Sequence, residues 1–532
     1  MGEMRRLSAC FLIALIVAFG ACNMEQVGRY PADWLMYHIP AEPDTLNPLT
    51  STDLYSDTIL ENIYETLVWR NPDTLELEPR LAESWEISPD GMTITFHMRK
   101  GVRFTDGVPA TARDVEYTYR KIMDPKVDCP HLRNYYADIS KVEVLDDYTI
   151  KFTYKEPYFR ALEICGYTQC IPKHLLEKAA DFNKSPLGRA PVGTGPYKFV
   201  EWTTGRRVVL DRNEDYWRAK PEIKRVVYKF ISLDSTALIE LKKHHLDVMG
   251  LRPIQWVKQT NKPRFLKSFR KEMYYLPNYS YIGWNMRRPL FSDKRVRRAM
   301  TMLVDRDTIL NTILFGLGKV VTGPAYIYSP YYDNDIKPWP YDPNAAKQLL
   351  DQAGWLDHDG DGIRDKNGAP FKFEFLISSG SIFADQLGTI LQRELAKVGI
   401  KLEVRKLEWA TFLKMVDDRN FDAVTLGWSL SVETDPYQLW HSSQIEKGSN
   451  FVGFSNPEAD EIIVKNRRAF DVNERIRLMK RFHDILHDEQ PYTFLFCSPS
   501  LVAISRRFDN VKVHKLGLEK TEWTINRQWK EE

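Results

Sequence analysis

The sequence predicts an α/β protein with two lobes. Two observations support this prediction: strand-like and helix-like segments alternate from residue 34 onwards, and 532 residues can supply more than one hydrophobic core. Apolar residues make up 43% of the chain and charged residues 27%, as in folded globular proteins. A disordered chain, a small disulfide scaffold and a multi-span membrane protein are therefore excluded.

The charge balance excludes one class of partner. Lysine and arginine together number 74 and aspartate and glutamate 72, which leaves a formal charge of +2. A nucleic-acid-binding domain needs a basic surplus gathered into a patch. The sequence therefore predicts no nucleic-acid partner.

The first residues predict export from the cytoplasm. Arg5 and Arg6 precede the apolar run Leu7–Ala21, which is shorter than the roughly 20 residues that span a bilayer. Cys22 follows Gly-Ala, as in a bacterial lipobox, so we predict a lipoprotein signal peptide over 1–22 that ends at a lipidated Cys22. Residues 23–33 then form a tether, and the body is extracytoplasmic and anchored to the membrane by lipid. An ordinary secretory leader and a short N-terminal anchor remain alternatives.

Four further cysteines, apart from Cys10 in the leader, leave two possibilities open. An oxidising compartment allows up to two disulfides among them, and the pair closest in sequence is Cys165 and Cys170. Buried free thiols are the alternative. The four residues are Cys129, Cys165, Cys170 and Cys497.

In the N-terminal part, strands and helices are mixed from the start. Thr93–Met98 alternates apolar and polar residues, which predicts a strand. A helix over 111–122 begins at Thr111, with Asp114 placed to complete a capping box. Two further strand-like runs lie within 141–154.

Towards the C-terminus, the elements follow in the order helix, strand, helix, strand. This order is typical of an α/β unit with a partly parallel sheet. The predicted elements are helices over 342–353 and 382–398, closed by Gly354 and Gly399, a strand over 400–404, a helix over 409–417 and a strand over 421–426.

A cluster of carboxylates is a candidate calcium loop. Asp357, Asp359 and Asp361 alternate before a glycine, as in the first half of an EF-hand loop. The twelfth position is Gly368, which cannot supply the closing carboxylate. The pattern favours a surface turn, and calcium binding remains the alternative.

Two histidines are a candidate zinc pair. His483 and His487 are one helical turn apart, and Asp484 stands where a metalloprotease carries its glutamate. The surrounding stretch is amphipathic and densely charged, which favours a solvated helix face. We therefore predict no enzyme activity, no metal and no cofactor, and keep a zinc peptidase as the minor alternative.

Several separated segments together resemble one protein family. They include Arg99–Gly107, which reads RKGVRFTDG, PVGTGPY at 191–197, and RNEDYW at 212–217. In order along the chain, the matching segments are 81–85, 89–93, 99–107, 111–115, 191–197, 210–217, 289–299, 304–306, 345–354, 398–400, 421–422, 427–428, 435–437 and 454–457. The chain thus resembles solute-binding protein family 5, the peptide and nickel class of receptors for ABC importers.

This resemblance implies a periplasmic-binding-protein fold of two lobes, joined by two crossing segments that act as a hinge, with an additional inserted domain. The implied division of the chain is a discontinuous first lobe (30–65, 169–282 and 497–532), the inserted domain (66–168) and a second lobe (283–496).

The resemblance also implies a ligand site. In peptide-binding relatives, the strand ending in Gly-Trp presents a backbone edge, and an Asp three residues after the Trp pairs with the peptide's α-amino group. Here Trp428 is followed three residues later by Ser431, so that Asp is absent. The expected ligand-binding residues are Trp428, Ser429, Leu430, Ser431, Glu433, Asp435, Thr52, Leu54, Tyr135 and Phe496.

The function implied by the resemblance is capture of an oligopeptide outside the membrane and its delivery to an ABC permease, by a monomeric, lipid-anchored receptor. An oligosaccharide is an alternative ligand because the chain has 14 tryptophans, and Trp-rich clefts suit stacking. A nickel chelate and haem are further alternatives.

Overall fold

The computed structural model describes residues 30–529, so the predicted signal peptide, Cys22 and most of the tether lie outside the described residues. Three large sheets organise the chain, with seven, five and four strands. Among the described residues, none of the helices combines the length and apolar character needed to cross a membrane.

The seven-stranded sheet combines segments from both ends of the chain. Its central strands Trp34–Ile39 and Arg225–Phe230 are parallel, and Pro499–Ser505 returns from the C-terminal part to pair with two other strands. The strand order is Phe269–Tyr275, Pro499–Ser505, Val248–Gly250, Trp34–Ile39, Arg225–Phe230, Arg207–Arg212 and Tyr197–Thr203.

The five-stranded sheet carries helices on both faces. Phe375 packs into one hydrophobic core and its neighbour Leu376 into another, because successive strand residues point to opposite faces. The strand order is Lys401–Leu407, Lys372–Ser378, Ala423–Ser429, Asn278–Trp284 and Tyr492–Phe494. Lys372–Ser378 is parallel to both of its neighbours, so the predicted partly parallel sheet is confirmed.

The four-stranded sheet is antiparallel and lies wholly within 66–168. Its strand order is Ala82–Ile87, Thr93–Met98, Thr149–Tyr154 and Ile139–Asp146. Helix Ala112–Met123 packs against this sheet and begins at Thr111 with the predicted capping box to Asp114.

Two short segments connect the seven-stranded and five-stranded sheets. The chain crosses between Tyr275 and Asn278, and crosses back between Phe494 and Pro499. Strand Asn278–Trp284 lies wholly in the five-stranded sheet and therefore extends across the predicted boundary between 282 and 283. The sheets thus change at 276–277, because this strand pairs with Ala423–Ser429 along its whole length.

The remaining elements are short strand pairs and the helices. The pairs are Val68–Arg70 with Leu77–Pro79, Lys319–Val320 with Phe496–Cys497, Asp365–Lys366 with Ala369–Pro370, Phe508–Asp509 with Thr524–Ile525, and Val513–His514 with Gly517–Leu518. The α-helices are Leu54–Leu60, Ala112–Met123, Pro130–Tyr136, Ala161–Gly166, Lys173–Leu176, Asp234–Lys242, Pro263–Ser268, Lys294–Met302, Arg306–Thr312, Pro343–Gln352, Ile382–Ala396, Trp409–Asp417, Tyr437–Trp440, Pro457–Arg468 and Val472–Glu489. The π-helix is Gln255–Gln259, and the 3₁₀ helices are Phe182–Lys184, Pro186–Gly188, Pro289–Phe291, Ser442–Gln444 and Lys520–Glu522.

One glycine pair is required by close packing of the backbone. A Cβ atom on Gly193 would lie 2.0 Å from the carbonyl oxygen of Ile63, and one on Gly195 would lie 2.6 Å from that of Asn62. The PVGTGPY segment of the resemblance therefore packs the start of strand Tyr197–Thr203 directly against the backbone that follows helix Leu54–Leu60.

Candidate functional site

The end of strand Ala423–Ser429 has an open backbone edge. On one side, the whole strand pairs with Asn278–Trp284. On the other side, Lys372–Ser378 pairs with it only at Ala423 and Val424, within the described residues. The strand therefore continues to Ser429 with one edge unpaired.

The register shows which backbone groups point to this edge. The N–H of Leu430 donates to the carbonyl of Pro277, at 2.9 Å. Since hydrogen-bonded and non-hydrogen-bonded pairs alternate along an antiparallel ladder, the peptide groups of Gly427 and Ser429 point away from Asn278–Trp284. Both residues are exposed, so a ligand can reach these groups.

Trp428 lies on a platform of aromatic rings. Its ring stacks on that of Phe451, with centroids 6.1 Å apart and planes at 13°. Beneath this strand, Tyr281 and Tyr492 stack at 3.8 Å. Desolvation raises the pKa of the Tyr492 hydroxyl to about 12, so this platform is uncharged at neutral pH.

The loop Leu430–Asp435 is held by side chains from distant parts of the chain. Arg160 Nη2 donates to Ser431 Oγ at 3.0 Å, and Glu433 Oε2 pairs with Arg475 Nη1 at 2.9 Å. Asp435 Oδ2 accepts from the Tyr158 hydroxyl at 2.9 Å and lies 3.0 Å from Arg467 Nε. Both carboxylates of the loop are therefore neutralised within the protein.

A buried charge network stands behind these contacts. Glu163 pairs with Arg70 and with Arg160, each at 2.8 Å, and all three side chains are largely buried. Desolvation by itself would raise the pKa of Glu163, but the two guanidinium groups outweigh it and hold that pKa below its ordinary value. The network fixes Arg160 where it meets Ser431.

A cavity of about 460 Å³ borders the loop. Glu433 and Arg475 line it from the side of the second lobe, and Phe159 and Trp85 from the four-stranded sheet and its following segment. The Arg475 guanidinium lies over the Phe159 ring, 4.6 Å from its centroid. Aromatic and apolar walls with a few charged groups are typical of a small-ligand pocket.

The other predicted site residues are spread over the molecule. Thr52 and Leu54 are exposed beside Asp53, which caps helix Leu54–Leu60 through its side chain. Tyr135 is exposed on helix Pro130–Tyr136. Phe496 is fully buried in the core of the second lobe. In the described structure, no hydrogen bond or ring contact joins these four residues to the loop after Trp428, and their ligand role stays a prediction.

Sequence reasoning missed the residues that hold the loop, which are Tyr158, Arg160, Arg467 and Arg475. Tyr158 and Arg160 lie 277 and 271 residues away from their partners along the chain. No local motif marks them, because pairing across such a separation is decided by how the domains pack.

The histidine prediction was wrong about exposure. His483 is buried: its Nε2 lies 3.0 Å from Thr322 Oγ1, and its Nδ1 accepts from the N–H of Asp333 at 3.3 Å. Desolvation lowers its pKa to about 4. His487 instead stacks on Trp339, with centroids 5.4 Å apart.

The carboxylate cluster lies in a turn at the surface. Asp357 accepts from the N–H groups of Gly360 and Gly362, which makes the loop a surface turn. Asp357, Asp359 and Asp361 are the one group of three or more potential metal ligands among the described residues, and all three are exposed.

The four cysteines within 30–529 are buried and free, so the disulfide between Cys165 and Cys170 is not formed.

Two α/β lobes joined by two crossing segments, with an open strand edge at the end of one sheet, define a two-lobed solute-binding protein. The chain belongs to the bacterial extracellular solute-binding proteins, family 5, whose middle-region model matches residues 76–450. Members of this family are solute-binding proteins, and the family is extracellular or periplasmic.

Relatives of known name cover almost the whole chain. The chain is 33% identical over 491 residues to the oligopeptide-binding protein AppA of Bacillus subtilis, covering 89% of this chain and 88% of the relative. It is also 27% identical over 474 residues to heme-binding protein A of Haemophilus influenzae, covering 84% of each.

Solved structures share the fold. The B. subtilis AppA complex with a nonapeptide has a TM-score of 0.77 at 30% identity, covering 93% of this chain and 99% of that one. NikZ of Campylobacter jejuni in complex with Ni(L-His) has a TM-score of 0.78 at 27% identity, covering 93% and 100%. The predicted fold class, two lobes with mixed sheets and helices, is therefore confirmed.

Proposed function

We propose that this protein captures an oligopeptide outside the cytoplasmic membrane and delivers it to the permease of an ABC importer. The observation that carries the proposal is the open edge at Gly427 and Ser429, whose outward N–H and C=O groups can pair with an extended peptide. The AppA relative, named as oligopeptide-binding and solved with a nonapeptide, supports the same ligand class.

The site that we propose consists of the backbone of Gly427 and Ser429, the ring of Trp428 and the loop that follows. Main-chain pairing gives affinity without reading side chains, so we expect broad specificity. Thr52 and Leu54 face this site from the first lobe in the proposed closed form, and Tyr135 completes it. Phe496 is buried in the core of the second lobe, so we leave it out of the proposed site. The domain boundaries predicted above belong to the same proposal, with the second lobe beginning at the crossing segment 276–277.

We propose lipid anchoring at Cys22 and a monomeric state for the receptor. The basic start and apolar run of the leader support export, and the Gly-Ala-Cys sequence supports acylation. Mass spectrometry of the N-terminal peptide from membrane fractions tests this: a diacylated Cys22 is expected, and an unmodified N-terminus elsewhere contradicts it.

Proline substitution at Ser429 tests the backbone edge. Proline removes the outward N–H of residue 429, and the ladder to Asn278–Trp284 is untouched because that group points away from it. We expect Ser429→Pro to weaken peptide binding roughly 3- to 10-fold, the effect of one hydrogen bond. Ser429→Ala is the matched control, because it removes the hydroxyl and keeps the N–H.

The ligand itself is identified by native purification, denaturation and mass spectrometry of what is released. A ladder of short peptides is the expected result. A sugar, haem or a nickel chelate would refute the peptide and retain the solute-binding class. If released peptides bind equally well to Ser429→Pro and to the unmodified chain, the edge is not the site even though the ligand class is right.

A further inference from the structure

A second cavity, of about 970 Å³, lies at the outer end of the seven-stranded sheet. We call it the basic cavity. Part of its lining is aromatic: Phe265 stacks on Phe269 with ring centroids 4.9 Å apart, and His244 stacks on Phe269 at 5.1 Å. Five cationic side chains line it, and no Asp or Glu among the described residues does; the five are Lys242, Lys258, Lys262, Arg264 and Lys267.

Four of these cations have no acidic partner within the part of the chain that the structure describes. Across residues 30–529, no ion pair involves Lys242, Lys258, Lys262 or Arg264, and all four are exposed. Their neighbours behave differently, since Lys243 lies 3.6 Å from Glu240. The whole chain has a formal charge of only +2, so this local surplus is not a general excess of basic residues.

Two exposed aliphatic side chains lie close to these cations along the chain. Leu266 lies between Arg264 and Lys267 on helix Pro263–Ser268 and is 38% exposed. Ile254, just before the π-helix that carries Lys258, is 41% exposed. Exposed aliphatic groups interleaved with lysine and arginine are characteristic of surfaces that lie in a membrane interface.

Hydrogen bonds connect the first described residue, Tyr30, to the backbone beside the basic cavity. Lys229 Nζ donates to the hydroxyl of Tyr30, at 3.0 Å, and to the carbonyl of His245, at 3.1 Å. His245 is adjacent to His244, which lines the cavity. Tyr30, the first described residue of the predicted tether 23–33, is thus linked through Lys229 to the residue that follows His244.

We propose that the basic cavity rests on an anionic membrane surface, where lipid phosphates bind Lys242, Lys258, Lys262 and Arg264. An ammonium or guanidinium group binds a phosphate oxygen directly, and Leu266 and Ile254 reach the headgroup boundary. The receptor would then lie with its seven-stranded sheet towards the bilayer. This inference goes beyond the proposed peptide capture and needs no assumption about the solute.

The test compares binding of the full chain to two kinds of vesicle, one of phosphatidylcholine alone and one of equal parts phosphatidylcholine and phosphatidylglycerol. The measured quantity is the ratio of the two partition coefficients. The leader carries Glu3, Arg5 and Arg6 in every variant, so its contribution cancels when the ratios of two variants are compared. We expect the unmodified chain to prefer the anionic vesicles. Added NaCl should abolish this preference, because salt screens surface charge.

Two variants with the same change of net charge locate the effect. The cavity variant is Lys242→Gln, Lys258→Gln, Lys262→Gln and Arg264→Gln. The control removes four exposed cations elsewhere that also have no ion pair within 30–529: Lys178→Gln, Lys347→Gln, Lys447→Gln and Lys512→Gln. We expect the ratio to fall at least about 30-fold in the cavity variant and by less than about threefold in the control. Unchanged circular dichroism shows that both variants fold.

Each other outcome overturns the proposal. An equal fall in both variants would mean that only net charge matters, and an unchanged ratio would mean that the cavity does not meet lipid. Competition by inorganic phosphate beyond that of NaCl at equal ionic strength would indicate a soluble anion as the ligand. Cavity-dependent binding to permease-containing neutral vesicles alone would indicate a protein partner.

Discussion

The loop 430–435 and the basic cavity differ in whether their charged side chains have partners of opposite charge within the described protein. In the loop, Glu433 and Asp435 each have an arginine partner within the protein. In the basic cavity, Lys258 and Lys262 have none among the described residues. Paired charges fix the position of a segment, whereas unpaired charges of one sign attract a partner from outside. The paired side chains of the loop therefore hold a site in shape, whereas the cations of the basic cavity are available to bind an anionic partner.

The largest expected effect comes from breaking the paired network. Glu163→Ala leaves Arg70 and Arg160 buried without their shared carboxylate, so we expect a loss of about 3–5 kcal/mol in the free energy of unfolding. Glu403→Ala is the control, because its 2.8 Å pair with Lys372 is exposed and its loss should change the free energy of unfolding little. Chemical denaturation measures both. Equal losses of free energy of unfolding in the two variants would show that the network of Glu163 with Arg70 and Arg160 does not fix the position of Arg160.

The next largest expected effect is a pH dependence of the free energy of unfolding, which arises from the buried imidazole of His483. Because the pKa of His483 is about 4 in the folded chain and about 6.5 when unfolded, the unfolded chain takes up the proton first as pH falls. The contribution of the neutral His483 imidazole to the free energy of unfolding is complete above pH about 6.5. As the pH falls towards 4, the free energy of unfolding decreases by roughly 3 kcal/mol.

His483→Gln should therefore remove this part of the pH dependence. The measurement is the free energy of unfolding of both proteins across that range of pH, and the difference between the two curves should change by roughly 3 kcal/mol from pH about 6.5 to pH about 4. Parallel curves for His483→Gln would mean that this imidazole titrates normally.

Trp428 tests the recognition side of the loop. Trp428→Ala removes a ring that we expect to contact the ligand, so affinity for a released peptide should fall by about 2 kcal/mol. Trp409→Ala, on an exposed part of helix Trp409–Asp417, should leave affinity unchanged. Calorimetric titration measures the affinity of each variant for the released peptide. A change in binding free energy below about 0.5 kcal/mol for Trp428→Ala would show that Trp428 does not belong to the binding site.

The smallest expected effect concerns the peptide's amino terminus. Since Glu433 and Asp435 are already paired with arginines, the loop offers no free carboxylate to an ammonium group. A peptide and its N-acetylated form should bind within about threefold of each other. A strong preference for the free amine would mean that one of these carboxylates leaves its arginine when the ligand binds.

By itself, the sequence determined much of the secondary structure and the family. Trp409–Asp417 matches its predicted bounds, and the strand Thr93–Met98 and the Thr111 cap are also confirmed. These features are local, because periodicity and capping involve residues a few positions apart. The strand predicted over 421–426 begins and ends later, at Ala423–Ser429. Its last residues pair with Asn278–Trp284, a partner that the local pattern does not contain.

Only the tertiary structure decided which side chains meet. It buried His483 against Thr322, joined Arg160 to Ser431 and left the cysteines unpaired. It also gathered Lys242, Lys258 and Lys262 around one cavity, although they are scattered along the sequence among ordinary surface lysines. The physical reason is that charge pairing and burial depend on distances across the folded chain, and a pattern of neighbouring residues carries no information about those distances.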